Sequence, residues 1–292
     1  EVPAGPAPPP EHLLRAARRR ALRAAQAAGP GGHVYVVRSF GRGLSFRSMA
    51  CGLLEAGLPS LGPCLLALAG ADPQAELYAE HLGPWADRVI WGVAGAQHQV
   101  AFVDQAAPVG CKVMMLDDNV LELRDRGQAV ARTGALDDAV GLGFQHMEAA
   151  GAKVWSINHS PFEGQWSEDV DVGNGLVYGA AFGFVATHER SRYSQFGQVM
   201  DDVERSCRYH EHDGCTVRVR RLQAFKRHPP GLHRRGKGGI SASLTKEEHA
   251  AERCRAREAL LARFPALLEP ADTLLGLQFR AAAGDSAQGG AP

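Results

Sequence analysis

Short apolar runs alternate with longer amphipathic stretches through the first part of the chain. HVYVVR at 33–38, GPCLLALA at 62–69, RVIWGV at 88–93 and KVMML at 112–116 have strand length and almost no polar interruption. Such runs suit strands covered on both faces. Between them, 45–55, 75–82 and 97–106 read as helices, with Gly57 and Pro108 as stops. The order β-α-β-α-β-α-β predicts a mostly parallel sheet with helices packed over it, because parallel neighbours need right-handed crossovers. Upstream, 11–28 is rich in Ala, Arg and Leu and predicts a helix ended by GPGG at 29–32. Its arginines read as a solvated face, with contact to nucleic acid as the alternative.

Beyond 120 the rhythm loosens. A helix is expected over 137–150, a strand at KVWSIN (153–158) and a loop over 162–174. LVYGAAFGFVAT at 176–187 has strand composition diluted by Gly179 and Gly183, which permit close approach of backbone or ligand. MDDVERSCRYHEHDG at 200–214 predicts a helix with an acidic start. CTVRVRRLQAF at 215–225 alternates apolar and basic, as a half-exposed strand does. A basic Gly/Pro-rich loop at 228–240 and a helix at 244–264 follow. The Pro-rich residues 1–10 read as a disordered leader and 281–292 as a disordered end.

Charge changes this picture only locally. Acidic and basic residues balance at 32 each, yet 205–237 holds ten Arg/Lys against Glu211 and Asp213, a net +8. That excess suits phosphate-bearing ligands. The six cysteines are scattered with no C-x-x-C spacing, which predicts free thiols in a reducing compartment. No apolar run reaches the roughly 20 residues that span a bilayer. Nothing in the pattern sets an oligomeric state.

The chemistry concentrates where the fourth apolar run ends, in KVMMLDDNV at 112–120. A buried strand ending in Asp117 and Asp118 puts two acids at the rim of a sheet, where α/β proteins bind ligands. Adjacent carboxylates repel and are best tolerated beside a cation, so a divalent-metal site is one reading and an exposed turn the other. The turn after the first strand, with Gly41 and Gly43 and with Arg42 and Arg47 nearby, offers N–H groups to a nucleotide; an ordinary βα turn is its alternative. Asp201 and Asp202 read equally well as a helix cap with a first-turn acid or as a general base.

VVRSFGR at 36–42, KVMMLDDNV at 112–120, NGLVYGAAFGFVAT at 174–187, MDDVERSCRYHEHDG at 200–214 and RRGKGGI at 234–240 occur in an order and spacing that resemble the TET/JBP-associated glycosyltransferases, the base J glucosyltransferase-like group of GT-A enzymes. The resemblance covers about two hundred residues and implies an α/β, GT-A-like nucleotide-diphospho-sugar transferase fold. It implies a single domain over 31–270, with a nucleotide-binding half (31–120) and an acceptor half (121–270). A leader with a basic helix (1–30) would precede it and a flexible tail (271–292) would follow.

By position, the resemblance implies Asp117 and Asp118 as ligands of Mn2+ or Mg2+, with His233 completing the site. It implies Arg38, Arg42, Asp117, Lys237 and Gly238 as contacts to a UDP-sugar. Asp202 would be the base of an inverting transfer, with Asp201 as its rival. The implied reaction moves a hexose, glucose first, to a hydroxyl, with a hydroxymethylated base in DNA as acceptor; such a base must be flipped out of a duplex. An intracellular setting follows, the nucleus included, without membrane insertion. Two departures stand out. Asn119 occupies the place of a third acid, and the Arg-Asn pair expected before the fourth strand is absent from HQVAFVDQAA at 98–107. They keep two other readings open: a catalytically silent module binding DNA or protein, and a transferase acting on protein or glycan.

Overall fold

A computed structural model describes residues 9–42, 50–69, 72, 75–130, 134–158, 166–226, 244–273 and 275–280. The expected alternation is present in its first half. Helix α1 (Glu11–Ala28) leads into β1 (His33–Ser39), α2 (Gly52–Gly57), β2 (Cys64–Ala69), α3 (Ala75–His81), β3 (Val89–Gly92), α4 (Ala96–Ala106) and β4 (Lys112–Asp117). Then follow β5 (Val120–Asp125), β6 (Gln128–Ala129), α5 (Ala135–Ala149), β7 (Val154–Asn158), β8 (Val170–Gly173), β9 (Ala181–Val185), α6 (Asp201–Asp213), β10 (Thr216–Lys226), α7 (Lys246–Arg263), β11 (Leu268–Pro270) and β12 (Leu277–Phe279).

The main sheet runs β3-β2-β1-β4-β9-β7-β10-β5-β6, with β8 on β10. Strands β3, β2, β1 and β4 are parallel, as their helical crossovers require. Strand β9 enters antiparallel between β4 and β7, and β10 pairs parallel with β7. The result is the α/β layering expected of the sequence, parallel in the first half and mixed in the second.

Alternation along the strands sorts the core into two layers. Tyr35, Val37, Leu66, Leu68, Met114 and Leu116 face α2 and α5, while Val34, Val36, Leu65, Ala67, Val113 and Met115 face α1 and α4. Helix α1 is therefore bound to the sheet through Leu14, Ala17, Ala21 and Ala24, and its arginines lie on the other side. A third cluster joins α6, α7, β11 and β12 through Val203, Cys207, Leu260, Phe264, Leu268 and Leu277.

Several expectations shift. The 176–187 strand shortens to β9 because 176–180 runs irregularly beside α6. The expected loop at 162–174 contains β8, whose Val170–Gly173 pairs with Thr216–Val219. Strand β5 begins one turn after the two acids and pairs with the end of β10. The expected tail from 271 is also too long, because Leu277–Phe279 pairs antiparallel with Leu268–Pro270. Of the helix expected at 45–55, residues 45–49 lie outside the described residues. Among the described residues no helix is long and apolar enough to cross a membrane.

Gly143 on α5 and Gly183 on β9 close on the two sides of the fully buried Trp155 indole. A methyl group at either glycine would collide with that ring. Gly183→Ala is expected to cost about 2–3 kcal/mol by overpacking. A denaturant midpoint unchanged from the parent would contradict this packing.

Candidate functional site

Strands β1 and β4 lie in register with Arg38 opposite Asp117, so their last residues meet at one end of the sheet. The Arg38 Nε donates to Asp117 Oδ1 at 2.7 Å and its Nη2 donates to the Gly179 carbonyl at 2.6 Å. The third guanidinium nitrogen, Nη1, is buried without a partner among the described residues. Lys226, the last residue of β10, donates to Asp117 Oδ2 at 3.1 Å. The next residue is held by backbone and side chain together. Asp118 N–H donates to the Arg38 carbonyl, and the Asp118 carboxylate accepts from Ser39 Oγ–H and from Arg42. Around it, the Tyr78 hydroxyl meets Ser39 Oγ at 2.5 Å and accepts from Arg42 N–H, while Gly41 N–H donates to Asp72. The turn after β1 is thus tied to β4 by the residues predicted to carry the chemistry.

The electrostatics follow from burial and pairing. Burial works to raise the Asp117 carboxyl, but Arg38 and then Lys226 outweigh it and hold it well below the usual carboxylate range. Asp118, only 2% exposed, is pushed up by burial and by the Asp117 charge, with Arg42 and Ser39 offsetting part of that. Lys226 is raised because Asp117 and Tyr178 outweigh the cost of its burial. Three cations and two carboxylates leave the cluster one positive charge in excess, which suits a polyanionic group.

The helix start at 201–202 separates the two rivals. Asp201 is buried and bonded at 2.9 Å to Arg205, itself 2% exposed. Asp202 accepts local bonds from backbone N–H groups, that of Val203 at 3.0 Å, and is raised by burial and by the neighbouring Asp201 charge, against the pull of Arg205. Both acids act electrostatically on Arg38. Gly179 sits between them and the strand ends, and a methyl group there would lie 3.3 Å from Asp202 Cβ. Sequence left base and cap equal; the geometry makes Asp201 an ion-pair partner and leaves Asp202 the freer carboxylate.

A cleft of about 600 Å³ opens over the strand ends. Arg38, Arg42, Asp117, Asp118, Asn119 and Lys226 line it, together with the start of α4, Gln198 and Glu252. Asp201 and Asp202 are not in its lining. His233, Lys237 and Gly238 lie outside the described residues. Among the described residues no group of three His, Cys, Asp or Glu side chains is placed to hold a metal ion. What the described residues offer there is two carboxylates and the Asn119 amide oxygen, which is buried and has no hydrogen-bond partner among them. These are hard oxygen donors of the kind Mg2+ uses when substrate phosphates complete its shell.

Lys226, Ser39, Tyr78 and Glu252 escaped sequence reasoning as site residues. Lys226 had one usable signal: it ends the alternating strand, and its register opposite Val120 brings it beside the acids. The other three come from separate elements, and only tertiary packing unites them. Glu252, on α7, accepts from Gln198 N–H at 3.0 Å and Val199 N–H at 3.3 Å, anchoring the loop ahead of α6.

The basic run at 205–237 also resolves. Arg205, Arg208, Arg218, Arg220, Arg221 and Lys226 pair with Asp201, Glu204, Asp171, Asp169, Asp125 and Asp117 respectively. The remaining four, Arg227, Arg234, Arg235 and Lys237, lie outside the described residues. Its excess of charge is therefore largely spent inside the fold wherever it is described.

No protein-family model matches the chain, and no curated protein does. Among solved structures, the fold is similar to that of Staphylococcus aureus TarS, residues 1–349, at 9% identity and TM-score 0.43 over 80% of this chain and 72% of that one. It is similar to a mycobacterial protein at 11% identity and TM-score 0.47, covering 84% and 78% of the two chains. It is also similar to the mannosyltransferase PcManGT of Pyrobaculum calidifontis, solved with GDP-Man and Mn2+, at 11% identity and TM-score 0.46 over 87% and 72%. At these values the similarities say nothing about substrate.

Proposed function

We propose that this protein is a glycosyltransferase that takes its sugar from a nucleotide-diphosphate donor. The observation that carries the reading is the strand-end cluster, in which Arg38 keeps one buried guanidinium nitrogen unpartnered beside Arg42 and Lys226 in an open cleft. Transfer of a sugar makes a new bond from the acceptor oxygen to the anomeric carbon and breaks the bond to the phosphate oxygen. The leaving diphosphate gains charge, which Arg38, Arg42 and Lys226 offset. Asp202 accepts the proton of the acceptor hydroxyl, and the transfer proceeds with inversion. Asp117 and Asp118, with His233, would hold a divalent ion, which when bound would supply positive charge to the leaving group.

The finer assignments follow the sequence resemblance: UDP as the nucleotide, glucose as the sugar, Mn2+ or Mg2+ as the ion, and a hydroxymethylated base in DNA as the acceptor. Their test is UDP release from UDP-glucose with Mn2+ in the presence of hydroxymethyl-base DNA, glycans or peptides. Release driven by the DNA supports the full reading. Release driven only by glycans or peptides moves the enzyme to another acceptor, and no release with any of them removes the enzymatic reading.

A second reading, a catalytically silent binding module, has one observation in its favour. All four carboxylate oxygens of Asp117 and Asp118 already accept from Arg38, Lys226, Arg42 or Ser39. A metal ion must compete with those cations. Calorimetry is therefore expected to find Mn2+ binding only when UDP is present, the phosphates drawing Arg38 and Lys226 away. Tight Mn2+ binding without nucleotide would contradict this arrangement.

A further inference from the structure

Two residues that the proposed transfer step does not use, Gln97 in the first turn of α4 and Asn119 in the turn after β4, line the same cleft. Their amide oxygens, Gln97 Oε1 and Asn119 Oδ1, are both buried and lack a hydrogen-bond partner among the described residues. The residues are 9% and 3% exposed. A buried acceptor without a donor is costly, and one such atom calls for an explanation. Here two occur on residues that line one cavity. Helix α4 also begins without a side-chain cap, on Gly95, so its first N–H groups are free of one as well. The neighbouring His98 is lowered by burial and is neutral at pH 7.

The start of α4 carries no charged side chain at pH 7, whereas Arg38, Arg42 and Lys226 supply cations to the same cleft. A phosphate fits those cations and has no hydrogens to give an amide oxygen. A sugar ring does, through its hydroxyls.

We infer that Gln97 and Asn119 are specificity-determining residues whose amide oxygens accept hydrogen bonds from sugar-ring hydroxyls of the donor. The ring is either the hexose or the ribose, which share this chemistry. Asn119 then stands where an acid was expected because it reads a hydroxyl. The inference rests on the donor reading above and is tested separately from it.

The test is calorimetric binding of UDP and of UDP-glucose, with Mn2+, to the parent, Gln97→Met and Asn119→Ala. Methionine keeps the volume and removes the unpartnered oxygen, so the Gln97→Met melting temperature is expected to equal or exceed that of the parent. A purely structural amide would lower it. Gln97→Met is expected to weaken UDP-glucose binding about tenfold or more, as loss of a hydrogen bond to a buried polar partner does. A loss confined to UDP-glucose assigns the hexose, and an equal loss for UDP assigns the ribose. A parent that binds both ligands, with both variants binding as tightly, overturns the inference and leaves the donor reading intact. A parent that binds neither ligand overturns the donor reading and this inference with it. An Asn119→Ala loss that appears with Mn2+ and vanishes in EDTA overturns the hydroxyl role of that residue.

Discussion

Asp202→Asn is expected to lower the rate of transfer by about 10²–10⁴-fold while leaving donor affinity within a factor of two or so, the usual yield of a positioned general base. The reason is local. Burial and the Asp201 charge raise the Asp202 carboxyl above its ordinary value, which makes the ionised form a stronger base. The parent rate should therefore fall on the acid side at a pH above the ordinary aspartate value of about 3.9, and Asp202→Asn should lose that limb. The stability sign runs the other way. A raised native pKa contributes stability below about pH 3.9, and that contribution is lost as pH rises through the raised value. At pH 7 the asparagine variant should be at least as stable as the parent, so unfolding cannot account for the lost rate.

Asp201→Asn is the necessary contrast. It leaves Arg205, 2% exposed, without its carboxylate partner and is expected to cost about 3–5 kcal/mol of stability. If the Asp201 variant instead kept its fold and lost the rate, while Asp202→Asn stayed active, the two roles would be exchanged.

The second large effect is at Arg38. Arg38→Ala removes donors to Asp117 and to the Gly179 carbonyl, and the buried Nη1 that has no partner among the described residues. Nucleotide binding should weaken by about 2–5 kcal/mol, at least roughly thirtyfold in Kd, as truncation of a buried charged donor does. Arg38→Lys should recover only part of it, because an ammonium cannot serve three directions in one plane. The acid stability of the variant gives an independent reading. The depressed Asp117 carboxyl contributes stability above about pH 3.9, which is lost as pH falls toward its native value. Without Arg38 that depression shrinks, so the melting temperature should depend less on pH below 4 than in the parent. Unaltered UDP affinity in Arg38→Ala would remove the guanidinium from the site.

The first half was legible because its signals are local. Four apolar runs, their helical spacers and the acids after KVMML fix the parallel strands, and the end of a strand in such a sheet marks where a ligand binds. The register that sets Arg38 against Asp117 follows from the same runs. The second half was harder because its strands pair across long separations. Strand β9 joins β4 and β7 as a five-residue piece with a glycine at its centre, and β5 reaches Lys226 from more than a hundred residues away. Lys226 at Asp117 and Glu252 at the loop before α6 depend on those pairings, so no spacing in the sequence announces them. The basic run misled in the opposite direction: its arginines look free in sequence, yet their partners Asp171, Asp125 and Asp169 come from strands and loops far upstream.

The account rests on the strand-end cleft as a nucleotide-sugar site, and equilibrium binding of UDP-glucose in the presence of Mn2+ tests that most directly. The parent is expected to bind one equivalent with a Kd in the micromolar range typical of donor substrates. Asp118→Ala, which strands Arg42 and Ser39 and removes a carboxylate from the cleft, is expected to bind at least tenfold more weakly. A folded parent that does not bind UDP-glucose, or an Asp118→Ala variant that binds it equally well, would contradict the assignment.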